Sequence, residues 1–267
     1  MKFQLKALAA AAILAASIPA QAAIDTNASG NGSFILTVLD KVTNVSATFD
    51  LGKNYFDFNQ SAAAGAVSNV TAPGTSFSWD LAGNANYSAA WTSFLGASTL
   101  ANTFYAITAG DNNGFGSTAA ASRGIITTYV GAGAGTTTNL LGALAAMDLY
   151  VANAGVVAGS TLNTVANGSV FVQTAEAETY YAANKNNGSG VITLGAIGTS
   201  LGVAQTLSTA SNLSQATTSV FGNGAQFSLA SNGALVYSVA AVPEADTWAM
   251  MMLGLGFMGF VARRKQA

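Results

Sequence analysis

Ser33-Phe34-Ile35-Leu36-Thr37-Val38-Leu39-Asp40-Lys41-Val42-Thr43-Asn44-Val45-Ser46-Ala47-Thr48-Phe49-Asp50-Leu51 is the stretch whose reading decides the fold. Phe34, Leu36 and Val38 alternate with Ile35, Thr37 and Leu39, and successive side chains of a strand point to opposite faces. Asp40-Lys41 is a turn candidate. Val45, Ala47, Phe49 and Leu51 resume the alternation, and the slip at Asn44 suits a bulge. The stretch reads as a β-hairpin.

The same pattern recurs outward along the chain. Asn54 to Phe58 carries Tyr55, Phe56 and Phe58, which suits a short strand or a hydrophobic plug under a loop. After the turn pair Pro73-Gly74, residues 76–81 alternate cleanly. Strands are also expected over 102–109, 123–130, 168–173, 191–197, 201–207, 225–229 and 234–239. Asn232-Gly233 between the last two is a type I′ hairpin signal. Helical spacing is the minority pattern. Tyr87, Trp91, Phe94 and Leu95 fall on one helix face, as do Leu140, Leu144, Met147 and Val151. Residues 174–184 suit a further helix, with Glu176 and Glu178 at its positive end and Lys185 at its negative end. These segments predict a mainly β fold with minor α: a β-sandwich-like exported domain with two or three short helices.

Composition narrows the chemistry. The chain contains neither cysteine nor histidine. Disulfides, Ser-His-Asp triads, cysteine nucleophiles and histidine metal sites are therefore excluded. Between residues 23 and 241 there are four cations (Lys41, Lys53, Arg123, Lys185) and nine carboxylates, a net of −5. A cation-poor surface argues against a nucleic-acid partner, which needs a basic footprint. Residues 23–241 fit one β-rich domain or two small ones, and no Pro-rich linker or charge run divides them.

The two ends carry targeting information. Lys2 and Lys6, an apolar run over 8–18 and Ala20-Gln21-Ala22 have the order of a secretory signal peptide, with cleavage before Ala23. The general secretion machinery is the partner this implies. At the other end, residues 247–262 hold no charge and are followed by Arg263, Arg264 and Lys265. As a helix these 16 residues reach about 24 Å, short of the ~30 Å hydrocarbon core, so the run is a marginal spanner. Trp248 suits the interface at one end. The basic triplet places the other end in the cytoplasm and the rest of the chain across the membrane.

Val242, Pro243, Glu244 and Ala245 precede this helix. Pro243 has a fixed φ and no amide hydrogen, and it holds Val242 extended just before the apolar run. Pro-Glu, a short apolar helix and a terminal Arg-Arg-Lys together resemble the PEP-CTERM sorting signal; Ala245 stands where the usual Pro-Glu-Pro pattern has its second proline. The resemblance implies an exosortase-type membrane protease as partner and removal of the tail. It divides the chain into a signal peptide (1–22), an exported domain (23–241) and a sorting signal (242–267). The stretches Ser-Phe-Ser-Trp-Asp-Leu and Tyr-Ser-Ala-Ala-Trp and the Ala-Gly-Asp-Asn loop are similar to a group of exported PEP-CTERM proteins with no established activity.

No catalytic constellation stands out. Glu176 and Glu178, at i and i+2, point to different helix faces and do not suit a glycosidase pair. Asp50 and Asp57 could approach one another across a turn, but nothing in the sequence requires it. Gly110-Asp111-Asn112-Asn113-Gly114 is oxygen-rich but lacks the spaced carboxylates of a calcium loop. Gly131, Gly133 and Gly135 have the wrong spacing for a dinucleotide. No cofactor, metal or enzymatic activity is expected. The sequence points to a structural or interaction protein of the cell surface or extracellular matrix. The alternatives are a module binding exopolysaccharide through Trp79 or Trp91, and a hydrolase working with carboxylates alone.

Overall fold

The hairpin forms as its alternation predicts, with β1 at Ser33–Asp40 and β2 at Val45–Asn54, antiparallel. The computed structural model describes residues 24–25, 30–112, 123–131, 140, 143–144, 162–164, 168–172, 194–209, 212–241, 252–253 and 255. The connection is a loop of four residues rather than a turn at Asp40-Lys41. Asp40 Oδ1 accepts the amides of Val42 at 2.8 Å and Thr43 at 3.0 Å, and Asn44 takes φ 59°. Asparagine tolerates that left-handed conformation, so the irregularity falls where the alternation slips. Asp40 Oδ2 also accepts the Thr99 amide at 2.7 Å. Burial pushes the Asp40 pKa up, but the amides of Thr99, Thr43 and Val42 outweigh it and hold the carboxyl below its ordinary value.

The remaining strands are β3 (Ser76–Asp80), β4 (Thr103–Asp111), β5 (Gly124–Tyr129), β6 (Leu162–Thr164), β7 (Ser169–Val172), β8 (Gly195–Ala196), β9 (Ser200–Thr209), β10 (Asn212–Val220), β11 (Gln226–Leu229) and β12 (Ala234–Ser238). Helix α1 spans Ser88–Ala97. The strands form one antiparallel sheet in the order β3-β12-β11-β9-β5-β4-β1-β2-β7-β6, with β10 paired to β9 and β8 to β4. The sheet curls into a half-barrel. Three strands lie between β1 and β11, yet the rings of Phe34 and Phe227 sit 5.9 Å apart across the interior. Trp79 of β3, the first strand in that order, donates from Nε1 to the Leu51 carbonyl of β2 at 2.8 Å.

The expected two-layer sandwich is therefore corrected to a single curled sheet. The alternation along each strand says only that one face is buried. It is the same whether that face meets a second sheet or the far side of its own. The choice lies in long-range pairing, above all in β9. That strand pairs with β5 along one edge and with both β11 and β10 along the other.

The interior is aromatic. Phe34 and Phe58 stack at 4.3 Å, and Tyr237 meets Phe58 edge-on at 5.3 Å. Residues 55–58 form a 3-10 turn that drives Tyr55 and Phe58 into the core, the plug among the two readings of this stretch. Helix α1 presents Tyr87, at its start, with Trp91 and Phe94 to the same core, and all three are buried. The Tyr87 hydroxyl donates to the Asp50 carbonyl, fastening the helix to β2.

On the outer face Leu140 and Leu144 pack over Ala106 and Ile125, as a helix with i, i+4 spacing requires. The rest of the expected helix over 139–152 lies outside the described residues, as does the one over 174–184. Gly110 and Asp111 belong to β4 rather than to a loop. Strand β10 was not expected. Its sequence Asn-Leu-Ser-Gln-Ala-Thr-Thr-Ser-Val has too few large apolar residues to reveal a period.

Candidate functional site: where the sorting tail leaves the body

The body ends at β12. Val239 donates its amide to the Thr75 carbonyl at 2.9 Å, and its own carbonyl accepts the Gly74 amide at 3.3 Å. The Ala240 amide donates to the Asn223 carbonyl at 3.1 Å. Ala240 is thus held by the fold, with Ala241 alone between it and Val242. Asn223 sits in a tight turn closed by a bond from the Ala225 amide to the Gly222 carbonyl, with φ 57° at Asn223 and 65° at Gly224. Two central residues with positive φ define a type I′ turn, and Asn-Gly is its favoured pair.

The I′ signal at Asn232-Gly233 takes a different form. Ala230 and Ala234 are bonded, the Gly233 amide returns to the Ala230 carbonyl, and Gly233 has φ 89° while Asn232 does not go positive. This is a three-residue loop with glycine in the left-handed position, the next commonest hairpin connection. The Asn232 side chain satisfies the Ala234 amide at 3.0 Å.

Behind the exit point the interior is polar. Gln205, on the inner face of β9, donates to Tyr55 Oη at 2.6 Å and to Asn59 Oδ1 at 2.8 Å, and it accepts the Gln60 amide at 2.9 Å. Gln60 and Asn59 bind the carbonyls and hydroxyls of the loop over 61–75: Asn59 Nδ2 donates to the carbonyls of Ser61 and Ala66, and Gln60 Oε1 accepts from Thr71 Oγ1 at 2.8 Å. The network needs room, and Gly124 provides it: a Cβ there would collide with the Tyr55 hydroxyl. Burial raises the Tyr55 pKa, against the Gln205 amide, which lowers it; the Asp111 charge adds to the rise. The phenol stays neutral and works as a hydrogen-bonding strut. The Tyr237 hydroxyl donates to the Val70 carbonyl at 2.9 Å, and Asn223 Nδ2 to the Thr71 carbonyl at 2.9 Å. Loop, turn and last strand are therefore one hydrogen-bonded end of the half-barrel.

The sorting-signal residues Val242, Pro243, Glu244, Ala245, Arg263, Arg264 and Lys265, and the leader-cleavage residues Ala20, Ala22 and Ala23, lie outside the described residues. Of the apolar run, Met252, Leu253 and Leu255 are helical and exposed. Among the described residues no helix is long and apolar enough to cross a membrane.

Other candidate residues are placed as follows. Trp91 is only 2 % exposed, so it is no platform for a sugar ring, and Trp79 is half-buried with its Nε1 committed to Leu51. Asp50 and Asp57 serve separate backbone contacts. Asp50 accepts from Ser33 Oγ at 2.9 Å and the Gly52 amide at 2.7 Å, whereas Asp57 accepts the Asn54 amide at 2.9 Å. Glu176 and Glu178 lie outside the described residues. No group of three or more carboxylates placed to hold a metal occurs among the described residues.

Asp50 has a measurable consequence. Burial pushes its pKa from 3.8 up to about 6, against the Gly52 amide and the Ser33 hydroxyl, which lower it; the Asp25 charge raises it further. Folding therefore favours the protonated form. That contribution is complete below pH 3.8 and is lost as pH rises through about 6. It amounts to about 3 kcal/mol at 1.36 kcal/mol per pH unit. Asp50→Asn keeps an oxygen for Gly52 and removes the titration. Thermal unfolding of the two proteins should then differ most near neutral pH, with the variant the more stable by up to about 3 kcal/mol, and converge near about pH 4. Parallel pH profiles would contradict the placement of this carboxylate.

The last described strand of the half-barrel is followed in the sequence by a Pro-Glu segment, an apolar run and a basic terminus, the order of a C-terminal sorting signal. Comparison with protein families agrees: residues 241–265 match the family described as the PEP-CTERM protein-sorting motif. A motif of this kind is recognised by exosortase, a membrane protease, and it makes the chain an exosortase-targeted exported protein. No curated protein and no solved structure matches the chain.

Proposed function

We propose that residues 23–241 form a structural or interaction protein of the cell surface or extracellular matrix, exported by the general secretion machinery and released when exosortase removes the tail. The observation that carries this reading is the join between body and signal. Among the described residues the last backbone bond is made by Ala240, and the sorting motif begins at residue 241. Body and tail are thus separable units with the Pro-Glu segment between them. The body's chemistry supports the non-enzymatic part. Its buried aromatic side chains serve core packing, and Asp40, Asp50, Asp57 and Asp80 bond backbone amides at turns. Two of its carboxylates, Asp40 and Asp50, are largely buried and bonded to amides.

Orientation in the membrane depends on Arg263, Arg264 and Lys265, because cations at a helix end resist crossing the bilayer. Deleting the three should let a fraction of the chain escape into the periplasm and medium at full length. Pulse-labelling followed by fractionation reads this directly. If the truncated chain is retained and processed at the normal rate, the basic terminus has no sorting role.

A further inference from the structure

The exit point of the tail selects one end of the half-barrel. We propose that this end, formed by the loop over 61–75, the turn over 222–225 and Ala240, is a lipid-facing surface that lies against the bilayer while the tail is inserted; this rests on the reading of the tail as a membrane signal. The tether is short. Five residues, 242–246, separate Ala241 from Thr247, where the apolar run begins, which makes six residue steps. Fully extended they span about 20 Å, and the headgroup layer takes about 6 Å of that. The body therefore stands no more than about 14 Å from the lipid surface, close to the width of one helix with its side chains.

The surface at this end has the chemistry for such contact. Neither residues 58–79 nor residues 186–243 contain a charged side chain. Ala62, Ala63, Ala66, Val67, Ala72 and Pro73 are exposed, Val67 to 52 %. The polar groups beneath them are already satisfied through Asn59, Gln60 and Asn223. Lys53 and Asp57 border the area. At the other end, β1 runs from Ser33, close to Tyr55, to the Asp40-Lys41-Val42 turn. Seven residue steps place that turn roughly 23 Å away along the strand. A body with net charge −5 is repelled by anionic lipid, and burying any of its carboxylates costs desolvation. The loop over 61–75 and the turn over 222–225, which carry no charge, avoid both costs where they meet lipid.

The absence of cysteine makes single labels unambiguous. The full chain, inserted through its tail into phosphatidylethanolamine–phosphatidylglycerol vesicles without protease, would carry a fluorophore on Val67→Cys, Ala72→Cys, Val42→Cys or Leu253→Cys. Headgroup nitroxide lipid should quench the labels at 67 and 72 several-fold more than the label at 42. Equal quenching at 67, 72 and 42, with the label at 253 quenched by a deep nitroxide, overturns the surface while leaving the tail reading intact. A label at 253 that no lipid nitroxide reaches overturns both. Proximity at 67 and 72 that arises only when exosortase is added assigns the surface to the protease and overturns its assignment to lipid.

Discussion

Trp91→Ala should cost the body about 3–5 kcal/mol, the loss typical of a large aromatic removed from a packed core. For a domain of this size that lowers Tm by about 6–20 °C. The cost is high because Trp91 joins three elements that the chain brings together from far apart. Its ring lies 6.1 Å from Phe94 on α1 and 6.3 Å from Phe49 on β2. Its indole nitrogen sits against the β11–β12 loop, where a Cβ on Gly233 would come within 2.9 Å of it. Truncation leaves a cavity that rigid strands on two sides do not refill. Trp79 serves as the contrast. It is half-buried, so Trp79→Ala should cost less. In a Trp79→Phe body, Trp91 is the sole tryptophan of residues 23–241, and its emission, excited selectively over tyrosine, should be strongly blue-shifted until the unfolding transition. A solvent-like maximum in the folded protein would show that the ring is exposed, and the small loss of stability that follows would return it to consideration as a sugar-stacking residue.

Replacing Pro243 and Glu244 together by alanine should abolish processing, so that nearly all of the chain remains in the inner membrane at full length. Two physical effects combine in this segment. Proline keeps the preceding backbone out of the helical region, which stops the apolar helix from propagating back toward Ala240. With alanine at both positions, helix can extend through residues 242–246 and hide the peptide from a protease that needs it extended. Glutamate adds a negative charge next to the membrane surface, a feature a recognition site can read. Membrane fractions should show the doubly substituted chain at its unprocessed mass, with the body folded as in the parent. Normal processing of this variant would mean that recognition rests on the apolar run and basic terminus alone.

The hairpin over 33–51 was legible because one face of it is apolar at every second position and both ends are punctuated. The stripe Tyr87, Trp91, Phe94 was legible for the corresponding reason at helical period. β10 was not, since Ser, Thr and Gln fill most of a strand whose described pairing is with β9. Curling of the sheet was not legible either. It depends on which strands pair, and pairings such as β4 with β5 or β5 with β9 are decided by the whole set of faces rather than by any one stretch. The two Asn-Gly pairs make the same point. Both form turns, but only Asn223 adopts the positive φ of a type I′ turn, while Asn232 uses its side chain to cap a longer loop. The sorting tail could be read outright, because its parts are consecutive in the chain and each acts through local chemistry. The surface from which it leaves could not: Ala240, Asn223, Thr71 and Gln60 become neighbours only through folding.

The most direct test of the account is intact-mass spectrometry of the protein recovered from cells with an active exosortase and from their medium. The account predicts a chain that begins at Ala23 and ends within residues 242–246, lacking the apolar run and the basic terminus. Recovery of most of the protein with Trp248 through Lys265 still attached would contradict it and make the tail a permanent anchor.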